Sequence, residues 1–154
     1  MTAALTAALL VASLAGRYDC TLERQVAITE TGANGSAVDF PEADRENWRF
    51  GLRVPNGDSP SVTVEWAANP IQIAGTFRSL PVAPGQVAFV AVAAGPCMFT
   101  EQACAALVEL SARADGSAAV SILPAGSSRD AASDVRSLLH VVFLGSCRRR
   151  SGGQ

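Results

Sequence analysis

The chain has 154 residues, 49% of them hydrophobic and 17% charged, which excludes a wholly disordered polypeptide and fits one domain with its own core. Its 12 basic residues, all arginine, stand against 14 acidic ones for a net charge of −2, so the basic excess that nucleic-acid binding requires is missing. Because the arginines are scattered, the absence of lysine reads as codon bias.

The chain opens with an uncharged segment, Met1 to Gly16. Leu5 and Ala7 to Ala12 form an apolar stretch, and Ser13-Leu14-Ala15 puts small residues one and three places before a cut after Ala15. That is the outline of a secretory signal peptide, although no basic residue precedes the apolar stretch. The expected organisation is a signal peptide over 1–15, a folded domain over 16–147 and a disordered tail over 148–154. A buried N-terminal helix is the alternative for the first segment. Leu14-Ala15-Gly16 also resembles the start of a lipoprotein signal, but Arg17 stands where that signal needs cysteine, so no lipid anchor is expected.

From Tyr18 onward the hydrophobic period is two. Tyr18, Cys20, Leu22, Val26 and Ile28 fall on one face and Asp19, Thr21, Glu23, Gln25 and Thr29 on the other, with Arg24 interrupting the apolar row. Thr31 to Arg45 reads as a long loop, and Asn34-Gly35-Ser36 within it matches a glycosylation sequon that signals no more than a turn. Trp48 to Val54, Val62 to Trp66 and Ile71 to Arg78 alternate in the same way, with Pro55-Asn56-Gly57-Asp58 marking a hairpin. Gln86 to Ala94 is nearly all apolar, as in a strand covered on both faces, and Pro81, Pro84-Gly85 and Gly95-Pro96 bound it. Ala105 to Arg113 and Ser117 to Leu123 are two more strands, joined through Asp115-Gly116. Ser127 to Ser137 predicts a short helix over 128–137, with Ser128 as its cap and Asp130 in its first turn. Leu138 to Leu144 is the last strand.

About eight strands joined by short turns predict an all-β fold, a single antiparallel β-barrel or sandwich. An outer-membrane barrel is disfavoured, because the second face of most strands is Thr, Glu, Gln or Arg. No stable membrane insertion is expected after processing.

Four cysteines in an exported chain suggest two disulfides. Of the three pairings, Cys20–Cys147 and Cys97–Cys104 are favoured. The first ties the two ends of the fold, which favours the barrel, and the second closes a short loop. Cys97 and Cys104 lack zinc-ligand spacing, and the chain has one histidine, His140, so no metal or cofactor is expected.

No catalytic set emerges. His140 lies in an apolar strand, and no G-x-S-x-G elbow is present. Asp39, Glu42, Asp44 and Glu46 crowd one loop and read as a solvated face rather than an acid–base pair or calcium loop. Arg148-Arg149-Arg150 reads as a solubilising terminus, with weak attraction to phosphate or anionic lipid as the alternative.

Tyr18-Asp19-Cys20 together with Cys147 resembles the layout of periplasmic lysozyme inhibitors, in which Tyr-x-Cys opens the mature fold and a cysteine near the C-terminus tethers it. The resemblance covers a few residues and implies a hydrolase inhibitor as one member of the binding class. The expectation is therefore a periplasmic or secreted bacterial β-domain, a non-enzymatic binding module for a protein, glycan or small ligand. A structural envelope or assembly component is the first alternative and a hydrolase the second.

Overall fold

The computed structural model describes residues 14–28, 36–56, 61–67, 75–83, 85–93, 104–125, 128–129, 136–137 and 140–151. Eight antiparallel strands form a closed barrel: β1 (Gly16–Ile28), β3 (Arg49–Val54), β4 (Ser61–Ala67), β5 (Gly75–Ala83), β6 (Gln86–Ala93), β7 (Cys104–Ala112), β8 (Ala118–Ala125) and β11 (His140–Arg149). Each pairs with the next in that order, and β1 closes on β11 from Tyr18↔Arg149 to Ile28↔His140. This closure makes the fold a barrel rather than a sandwich. One extra strand, β2 (Ser36–Asp39), pairs with β1 over Arg24–Ala27, beyond the point where β3 ends.

The alternation of the sequence becomes the sidedness of the wall. Tyr18, Cys20 and Leu22 of β1 point inward and meet Phe50, Leu52, Val62, Phe89, Val108, Leu110, Ile122 and Phe143, all buried. Arg17, Asp19, Arg53, Arg78, Glu109 and Arg148 stand outside and are exposed. An eight-stranded barrel is just wide enough for side chains to fill its interior, and here they do so in the described part of the lumen. Fully burying each large apolar side chain contributes about 1.5–3 kcal/mol, so the inner rows carry the fold.

Arg24, the residue that interrupts the apolar row of β1, marks a β-bulge. Leu22 pairs with Gly145 and Arg24 with the adjacent Leu144, which leaves Glu23 as the extra residue. Beyond it the alternation flips. Arg24 is exposed on the outer face, Gln25 joins the row of Phe143, and Val26 joins the outer row with Val142. The predicted single apolar face from Tyr18 to Ile28 therefore holds only as far as Leu22. A second departure is at Pro81, predicted as a boundary: β5 runs through it to Ala83, with a register shift between Pro81 and Ala83 that accommodates a residue lacking an N–H donor.

The helix predicted over 128–137 does not hold at the segment's described ends, and 130–135 lie outside the described residues. Ser128–Arg129 (β9) and Arg136–Ser137 (β10) pair as an antiparallel ladder, so these four residues are extended rather than helical. The helix among the described residues is a 3₁₀ turn, Glu42–Trp48, which begins inside the predicted loop of 31–45 and takes Trp48 from the strand predicted over Trp48 to Val54. Pro41 precedes it in an extended conformation, Glu42 and Asp44 lie in its first turn and Arg45 in its last, which suits the helix dipole. The C-terminus also differs from expectation. Arg148 and Arg149 are the last residues of β11, and the Arg150 amide donates to the Arg17 carbonyl. The predicted tail over 148–154 thus begins as ordered strand, because β1 reaches back to Gly16 and offers it a ladder. The signal segment through residue 13 and Cys97 lie outside the described residues, so the predicted Cys97–Cys104 bridge does too, although Cys104 itself opens β7.

Candidate functional site

The meander sends its connections alternately to two rims. Gly85 and residues 113–117 turn at one rim, where Val54, Ser61 and both ends of the barrel chain also lie. The strand ends at the other rim are separated by the longer stretches of sequence, and the described part of the first of these, 36–48, folds there as β2 and the 3₁₀ helix. Long connections on a rigid scaffold are where binding residues concentrate, so the second rim is the candidate site.

The described part of this rim is built on Phe40, Trp48 and Phe143. Phe143 is wholly buried near the mouth. Trp48 stacks on it with centroids 5.4 Å apart, and Phe40 stacks on Trp48 at 4.5 Å with the rings 7° from parallel. Both outer rings remain half-buried against the core. The Phe40 amide donates to the Glu23 carbonyl at the bulge, and Arg45 Nε donates to the Phe40 carbonyl, so bulge and helix together fix the stack. Beside it stands Val38 of β2, 55% exposed and opposite Gln25. An exposed valine beside half-buried aromatic rings gives the mouth an apolar surface with polar edges.

Those edges are salt-bridged. Arg24 holds Asp39 through Nε and Nη2, and Arg49 donates to Glu46 at 2.8 Å. The hydrogen bond from Arg24, then its charge, holds the Asp39 carboxyl below its ordinary value. Glu42 and Asp44 are exposed on the helix. Of the four carboxylates predicted to crowd one loop, Asp39 and Glu46 are therefore engaged by separate arginines, and the four form no common pocket.

The structure pairs Cys20 with Cys147 in a disulfide across directly opposed positions of β1 and β11. His140 starts β11, with its side chain outside the described residues. At the short-turn rim, Leu14 and Ala15 are buried; the Tyr18 hydroxyl donates to the Leu14 carbonyl at 2.9 Å and Arg149 donates to that of Ala15. Burial raises the Tyr18 hydroxyl above its ordinary pKa, partly offset by the Arg149 charge.

The Phe40–Trp48 stack was not singled out in the sequence. Its signal is an aromatic residue before Pro41 and a second one closing a short acidic helix. The chain matches no family model, no curated protein and no solved structure.

Proposed function

We propose that the chain is an exported β-barrel that serves as a binding module of a bacterial cell envelope and meets its partner at the long-connection rim. The observation that carries this reading is the division of the barrel: among the described residues the lumen is filled with side chains and its seam is held by a disulfide, while Val38, Phe40 and Trp48 stand at the rim whose strand ends are separated by the longer stretches of sequence. A filled lumen favours a partner held at the rim over a ligand held inside. The Cys20–Cys147 bridge is compatible with an oxidising compartment, and the apolar, uncharged start of the chain fits export. Polar outer rows on β1, β3 and β4 against an apolar interior are the reverse of a membrane-spanning barrel and support a peripheral place in the envelope. Described carboxylates such as Asp19, Asp39 and Glu46 are held by arginines, which favours binding over acid–base hydrolysis.

Crosslinking in the intact envelope tests the proposal. The chain is expected to capture a partner that Val38→Glu and Trp48→Ala lose and that Arg113→Gln, at the opposite rim, retains. Equal capture by all three variants defeats it. Non-reducing intact mass of the exported chain is expected to begin at Gly16, and a chain recovered only from the cytoplasm removes the envelope.

The assembly-component reading has one observation of its own. Val90, Leu107 and Leu123 lie opposite one another across β6, β7 and β8 on the outer face, with Val90 and Leu123 exposed. A lateral contact between chains would cover this row.

A further inference from the structure

Half of the chain's arginines gather on one patch of the outer wall. Register places Arg17 directly opposite Arg53 across β1 and β3, and Asp19 opposite Arg148 across β1 and β11. Arg150 continues past the end of β11 and bonds Asp19 at 2.6 Å and Glu65 at 3.3 Å; Arg17 shares Glu65 at 3.4 Å. Arg149 reaches over the adjoining rim to the Ala15 carbonyl, and Arg49 lies at the far edge. Asp19 and Glu65 are thus already shared among arginines. Arg53 and Arg148 are exposed and have no acidic partner among the described residues.

Two like charges directly opposite on neighbouring strands destabilise a sheet. Here the repulsion between Arg17 and Arg53 is offset only by Glu65. An external anion would relieve it. The array is flat and multivalent, since side chains of adjacent strands stand side by side on the barrel wall. We propose that this face of β1, β3 and β11 docks the protein on an anionic phospholipid surface, with Arg53 and Arg148 as the principal contacts.

Two observations favour lipid phosphates over other polyanions. The chain has a net charge of −2, so the arginine excess is local and suits short-range attraction to a charged plane. Processing after Ala15, which rests on the reading of the chain as an exported protein, adds an α-amino group at Gly16 beside Arg149, on the same rim. Docking here leaves the long-connection rim at the opposite end of the barrel free for its own partner.

The test is co-sedimentation of the oxidised protein with vesicles of phosphatidylglycerol mixed with phosphatidylcholine, or of phosphatidylcholine alone, at low ionic strength. The expected result is preferential partition onto the anionic vesicles. Arg53→Gln with Arg148→Gln should weaken it roughly tenfold to thirtyfold, from the usual attraction of an arginine near an anionic membrane. Arg78→Gln with Arg113→Gln, which removes the same charge elsewhere, should change it less than about threefold. Arg53→Lys with Arg148→Lys should restore binding, which separates loss of charge from loss of fold. Equal partition onto both vesicles, equal loss in the two glutamine pairs, or tighter binding to duplex DNA or to free inorganic phosphate at matched ionic strength would overturn the proposal. Cell fractionation separates the two readings: an envelope protein that ignores anionic vesicles overturns only the docking face, and a cytoplasmic protein that binds them overturns only the export.

Discussion

The two rims of the barrel are closed by different means. At the short-turn rim the closure is mainly backbone: Ala112 donates to Gly85, Arg113 to Ser117, Gly116 to Arg113 and Arg150 to Arg17. At the long-connection rim the described closure is a stack of rings, Phe40 on Trp48 on Phe143, steered by one bulge and one 3₁₀ turn. A hydrogen-bonded turn fixes few conformations, whereas a ring stack can be re-cut by substitution while the ladder beneath it stays paired. The comparison teaches that backbone hydrogen bonds close one end of the barrel axis and ring packing the other, with the disulfide placed toward the short-turn end.

The largest test of that division is the disulfide itself. Replacing Cys20 and Cys147 together with alanine opens a loop of sequence separation 127, and loop entropy predicts a loss of about 4–5 kcal/mol. Denaturant titration of the oxidised protein and the double variant measures it. A loss below about 1 kcal/mol would mean that the β1–β11 ladder closes the barrel unaided. The ring stack gives the next effect. Phe143→Ala should cost about 3–5 kcal/mol because the ring is fully buried, and Trp48→Ala distinctly less because its outer part is exposed. Equal losses would show that the long-connection rim is core rather than a replaceable cap.

The bulge sharpens the comparison and shows how far the sequence could be read. An added Cβ at Gly145 would run into the Thr21 carbonyl and the Leu22 backbone of β1. Gly145→Ala should therefore cost about 3 kcal/mol or shift the register, seen as a lower thermal midpoint. Nothing in the period-two pattern marks Gly145, since an isolated glycine in an apolar run carries no side-chain preference. The pattern did announce the barrel wall, because Tyr18, Cys20 and Leu22 against Asp19 and Thr21 allow only one face to be inward, and the outermost cysteines implied closure. It failed past Leu22, because a bulge changes parity through geometry that Arg24 betrays only as an apparent misfit. The helix prediction failed at its described ends for a related reason. Ser128 and Asp130 are good capping residues, but tertiary pairing decides segments too short to stand alone, whereas Glu42 to Trp48 gains a ring stack by turning. The rim site was illegible in the same way: Phe40 and Trp48 lie apart in the chain, and the pairing of β2 with β1 together with the 3₁₀ turn brings their rings together.

At the short-turn rim, Gly116 isolates backbone conformation from packing. Its φ is +80°, and a Cβ there would meet nothing within 4 Å. Gly116→Ala should cost about 1 kcal/mol from the left-handed conformation alone. Urea midpoints would measure it. A neutral result would mean that the Asp115–Gly116 turn relaxes without disturbing β7 or β8.

The smallest expected effect is the acid limb of stability, and it also comes from the short-turn rim. The hydrogen bond from Arg150 holds the Asp19 carboxyl below its ordinary value, and the hydroxyl and amide of Ser117 do the same to Asp115. A carboxyl whose pKa is lower folded than unfolded stabilises the fold fully above its unfolded value, near about 3.9. That contribution fades as pH falls from there through the lower folded value. Asp19→Asn should therefore lower the denaturation midpoint at neutral pH and leave it unchanged in strong acid, where wild-type Asp19 is itself protonated. Because Asp19 and Arg150 are exposed, raising the salt concentration should shrink the difference. A difference between wild type and Asp19→Asn that persists undiminished into strong acid would place the effect in packing rather than charge. The short-turn rim would then depend on its side chains as much as the ring-stacked rim does.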